Sequence, residues 1–143
     1  MIGIIFSIIA GLCMSFQGVF NTRLGEKIGT IEANLFVQGT GLILTLILFF
    51  IAGKGSFKNI VEVNKLYLLG GVLGVAIIFC VMGGMKFLGP SYAVSIILVS
   101  QLLSAAFIDA FALFDSEKII FGFYKIIGIA IMVLGIVIFK WKG

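Results

Sequence analysis

The sequence predicts an all-α integral membrane protein of five transmembrane helices, and three observations carry that prediction. Hydrophobic residues make up 62% of the 143 and charged residues only 11%, where a soluble domain has about 25% charged residues. The mean hydropathy is +1.29. The apolar residues also fall into five runs near the roughly 20 residues that a helix needs to cross a bilayer.

The first run extends from Ile2 to about Phe20. It lacks the positive start of a cleaved signal. In Ala10-Gly11-Leu12-Cys13, which loosely resembles a lipoprotein cleavage site, Leu12 stands where a small residue is needed, so the helix is expected to be retained. Residues 21–29 read as a short polar turn before a second helix over 31–52. The longest connection follows, residues 53–65, with Lys54, Lys58, Glu62 and Lys65. A third helix is expected over 66–88, and Gly89-Pro90 breaks it, with Pro90 suited to the first turn of the next. The fourth helix covers 91–113 and the fifth 119–139, where Lys125 can snorkel to the headgroups. Tyr67, Tyr92, Tyr124 and Trp141 mark helix ends, as interfacial rings do. Residues 1–143 therefore read as one transmembrane domain, with short connections that favour antiparallel neighbours.

Composition also excludes function classes. The net charge is +4, yet no Lys/Arg run tracks a phosphate backbone, so nucleic acid is not an expected partner. There is no histidine. Cys13 and Cys80 lie inside apolar runs as small packing residues, so neither a metal nor a cofactor is expected. No nucleophile–base constellation supports an enzyme. Gly70 with Gly74, and Gly128 with Gly135, fall at spacings that let helices approach closely in lipid.

Five spans put the termini on opposite sides. One side then carries Lys54, Lys58, Lys65, Lys118 and Lys125, and the other Arg23, Lys27, Lys86, Lys140 and Lys142. An excess of Lys and Arg on the cytoplasmic side is what orients a membrane protein, and five against five provides none. The balance leads to the expectation of dual topology, with two oppositely inserted copies forming an antiparallel homodimer of ten helices. A paralogous chain could take the place of the second copy. Orientation set by unequal hydrophobicity of the segments is the alternative.

The few polar residues inside the spans are the candidate site. Gln17 and Asn21 lie four apart near the end of the first helix. Gln38 follows two turns into the second, after Glu32 and Asn34. In the fourth, Gln101 stands near mid-depth, with Ser100 and Ser104 close by and Asp109 two turns further on. Such residues either bond between helices or line a path. Gln101, Gln17, Asn21, Gln38, Ser104 and Asp109 are the expected substrate-binding or path-lining residues, and Asp109 or Glu32 the proton or cation site. No Lys or Arg lies at mid-membrane, which favours a small polar or cationic solute. In an antiparallel pair, Asp109 of one copy would share a depth with Asn21 and Glu32 of the other.

These residues resemble the YdcZ-type family of the drug/metabolite transporter superfamily. Gln17, Asn21 and Leu24 carry the likeness, with Gly70-Gly71 and Gly74, and with Ser100-Gln101-Leu102-Leu103-Ser104 leading to Ile108-Asp109. The resemblance implies an inner-membrane exporter. The family pattern places a Gly before the Gln and an Asp-His-Phe-Gly run after it, where this chain has Ser100 and Asp109-Ala110-Phe111-Ala112. Roles of the missing His and Gly do not carry over. Small multidrug-resistance proteins have four helices and a glutamate in the first, a pattern this chain lacks. A secondary transporter working by alternating access is thus expected; a non-transporting subunit that stabilises a membrane partner is the rival.

Overall fold

The computed structural model describes residues 1–116, 119 and 122–141. Five helices fill it: α1 (Ile2–Ile28), α2 (Thr30–Ala52), α3 (Gly70–Leu88), α4 (Pro90–Phe111) and α5 (Phe123–Lys140). No strand occurs among the described residues. Each helix, with α3 extended back to Lys65, is long and apolar enough to cross a membrane. Most large apolar side chains are exposed along these helices. That is the expected inversion where hydrocarbon is the solvent.

Polarity does not stop α1 at Phe20. The expected turn over residues 21–29 is helical as far as Ile28. Arg23 Nη1 pairs with Glu26 Oε2 at 3.0 Å, one turn on, and Lys27 suits the negative end of the helix dipole. What ends the helix is Gly29, with φ of 102°, a region in which residues bearing a Cβ are rare. The same glycine opens α2: its N–H reaches the Gly25 carbonyl and its own carbonyl accepts from Ala33.

Two compact units divide the chain, residues 1–87 and 88–143. In the first, α1 packs on α2, and α3 joins through its side chains. A Cβ on Gly18 would collide with the Met85 side chain, and one on Gly25 would lie 3.3 Å from Met82 Sδ. Residues 53–64 between α2 and the third span hold one 3-10 turn, Phe57–Val61, capped by Ser56. A second, Lys65–Leu69, starts that span and is capped by Asn64. The Phe57 ring rests 5.4 Å from Phe49, at the end of α2.

In the second unit α4 packs on α5. Gly89, with φ of 79°, turns the chain into Pro90 at the first position of α4. The far end is strained, because Ala112, Phe114 and Asp115 all have positive φ. The fifth helix is described from Phe123, four residues later than the expected start at 119. Lys118, expected in the loop before it, and Lys142 lie outside the described residues. Lys125 is therefore the third residue of α5.

Candidate functional site

Three polar residues of the first unit are buried among its helices. Asn21 on α1 and Asn34 on α2 are 6% and 3% exposed, and Thr22 beside Asn21 is also buried. Thr22 satisfies its hydroxyl within α1, donating to the Gly18 carbonyl at 2.7 Å. Asn34 reaches across to α3, where its Nδ2 donates to the Val75 carbonyl at 3.0 Å. Its Oδ1 is buried and finds no partner among the described residues. One turn further along α2, half-buried Gln38 lies beside Gly74, where a Cβ would come within 3.6 Å of its Nε2. Asn34 and Gln38 thus form one amide row against Gly74-Val75. Asn34 is not among the candidates that the sequence points to. Its spacing of four from Gln38 is the signal that both amides share a helix face.

The remaining candidates of this unit differ in setting. Gln17 is exposed on α1. Glu32 is exposed at the third position of α2, with its carboxylate folded over Gly29 so closely that a Cβ there would meet it. A negative group at that position suits the positive end of α2. A cleft of about 180 Å³ opens at the same end of the unit, lined by Thr22, Glu26, Thr30, Met82 and Lys86.

The second unit holds a cavity of its own. A groove of about 490 Å³ runs between α4 and α5, with Asp109 and Lys125 towards one end and Leu102 and Met132 near the helix centres. Small residues make room for it: Ala105 and Ala106 on α4 and Gly128 on α5. Asp109 is half-buried, and its carboxylate forms no hydrogen bond or ion pair among the described residues. Its backbone carbonyl closes the end of α4, accepting from Ala112 and Ile119 at 3.4 and 3.1 Å. At the other end of the hairpin, Lys140 Nζ stands 4.1 Å from the centre of the Tyr92 ring, a cation–π contact.

Gln101 and Ser104 lie outside that groove, both exposed on α4. The neighbouring hydroxyls are satisfied by their own helix, Ser104 donating to Ser100 and Ser100 to Ile96, each at 2.9 Å. The Gln101 amide makes no hydrogen bond among the described residues. No group of three or more Cys, Asp or Glu side chains that could hold a metal ion occurs among the described residues.

Five apolar spans with amides and a carboxylate set inside them describe a multi-span membrane protein. A family model described as "Putative inner membrane exporter, YdcZ" matches residues 2–138. The chain belongs to the YdcZ family. No curated protein and no solved structure matches it. This YdcZ-family chain is accordingly a multi-pass protein of the inner membrane, of a transport class rather than an enzyme class.

Proposed function

We propose that the chain is a secondary transporter that exports a small polar or cationic solute, working as an antiparallel homodimer of ten helices. The observation that carries the solute class is Asp109: a half-buried carboxylate without a side-chain partner among the described residues, opening on a groove of about 490 Å³. A bare carboxylate beside hydrocarbon is costly unless a cation, a proton or a donor meets it. Asp109 is therefore the proposed site for the solute's positive group or for a coupling proton, with Glu32 second. Gln101, Gln17, Asn21, Gln38 and Ser104 would offer neutral hydrogen bonds along the path, which suits polar groups that shed water on entering.

Five helices in one chain cannot form two equal inverted halves. Two copies inserted in opposite senses would form them, and rocking of the halves about a central site is how many transporters alternate access. The balance of five Lys/Arg on each side supports this reading. The partner is a second copy, or a paralogous chain in its place.

The test is flux through proteoliposomes loaded with a panel of small cations and neutral polar solutes. Exchange of at least one solute is expected, with loss on Asp109→Asn and on Gln101→Ala. Both variants transporting an identified substrate like the native protein would sink the proposal. Single cysteines at the two termini, in a background free of Cys13 and Cys80, should be labelled from outside in comparable fractions of molecules.

A further inference from the structure

From the position of Gln101 we infer that α4 is the contact between the two copies, with the two Gln101 amides hydrogen-bonded to each other on the symmetry axis until a solute on the path takes up those bonds. The inference rests on the antiparallel reading above and adds to it a contact surface and a residue that the partner supplies.

Depth is the first argument. Gln101 is the twelfth of the 22 residues of α4, within one residue of the midpoint of a helix about 33 Å long. Two copies related by a two-fold axis in the membrane plane exchange depths, so that only mid-depth residues can meet their own counterparts. Gln101 satisfies that condition and Asp109 does not.

Chemistry is the second. The Gln101 side chain is exposed and unbonded among the described residues, and the hydroxyls nearest to it, on Ser100 and Ser104, already donate to their own helix. A free carboxamide facing lipid at mid-depth is unfavourable. A carboxamide is also its own complement, since it carries both an N–H donor and a carbonyl acceptor. Two of them facing across a two-fold axis form two reciprocal bonds, each N–H donating to the other's oxygen.

Shape is the third. Antiparallel α4 helices crossing at Gln101 place Ile97 opposite Ala105 of the partner and Leu98 opposite Ser104 of the partner. Each pair sets a large side chain against a small one, which lets the helices approach closely in lipid. A parallel pair would set Ile97 against Ile97 and Ala105 against Ala105.

Oxidative cross-linking in native membranes, in the background free of Cys13 and Cys80, tests the inference. Gln101→Cys should give a disulfide-linked dimer, while Asp109→Cys should not. In this arrangement position 109 lies about 24 Å along the helices from its own counterpart, against the 7 Å or so that a disulfide can span. Co-expressed Ile97→Cys and Ala105→Cys chains keep Gln101 intact and should link to each other, with neither linking to itself. A dimer through Asn21→Cys and Asp109→Cys, without one at position 101 or between 97 and 105, would overturn the α4 contact and leave the antiparallel transporter standing. Self-linking at 97, 105 and 109 would mean parallel helices, and both readings would fall.

Discussion

Asn34 on α2 gives its side-chain N–H to the carbonyl of Val75 on α3 at 3.0 Å, while its own oxygen is buried without a partner among the described residues. The residue is thus half satisfied: one bond ties two helices, and one acceptor is wasted. Asn34→Ala removes the tie and leaves a void, and should lower stability by about 1 kcal/mol. Asn34→Leu removes both the donor and the orphaned acceptor while keeping the same branched heavy-atom skeleton, and should be nearly neutral. Unfolding of both variants in mixed micelles by SDS titration measures the difference. A leucine variant as unstable as the alanine variant would mean that the amide has another partner, such as a bound solute.

Gly18 is the close approach of α1 to α3, with the Met85 side chain lying over its bare backbone. Gly18→Leu should destabilise the first unit by about 1–3 kcal/mol through overpacking. Adding Met85→Ala should recover part of that loss, because the two side chains compete for one space. A double-mutant cycle reads this coupling directly. Strictly additive effects would show that the contact does not form in the membrane.

Ala112 ends α4 in the left-handed region, at φ of 49°. Ala112→Gly should therefore stabilise the chain by about 1 kcal/mol, the cost of holding a Cβ in that conformation. Transport should not change, because the position caps a helix and does not line the groove that holds Asp109. A variant with unchanged stability but altered flux would reverse the assignment.

The spans are legible in the sequence because hydropathy is a property of whole segments, and a helix of apolar residues in lipid tolerates much local variation. The end of α1 is not. Residues 21–27 look like a turn by polarity, yet an ion pair and ordinary helix formers keep them helical until Gly29 permits a positive φ. Within the candidate site, Asp109 is legible as a rare acid inside an apolar run. Its neighbour across the groove, Lys125, reads from sequence only as a snorkelling end residue, because a groove between two helices depends on which faces meet. Asn34 escapes the sequence because burial of one amide over another depends on the turn of α2 against α3, and neither helix carries that alone.

Orientation offers a test in living cells. Gly55→Lys with Asn59→Lys would raise the basic residues on that side of the membrane from five to seven. Gly55 has open space around it, so the fold should tolerate the change. One orientation should then predominate, and transport should fall with the loss of oppositely inserted partners. It should return when a second variant biased the other way, by added lysines near Lys140, is co-expressed. Full transport by a population locked in one orientation would refute the antiparallel pair.

The single-residue joint at Gly29 has a mechanical consequence. Its N–H donates to the Gly25 carbonyl and its carbonyl accepts from the Ala33 N–H, so that one residue is all the chain between α1 and α2. The facing ends of the two helices are thereby held within single-residue reach of each other, whatever else in the unit moves. Connecting chain in reserve lies instead at residues 53–64, between α2 and the third span.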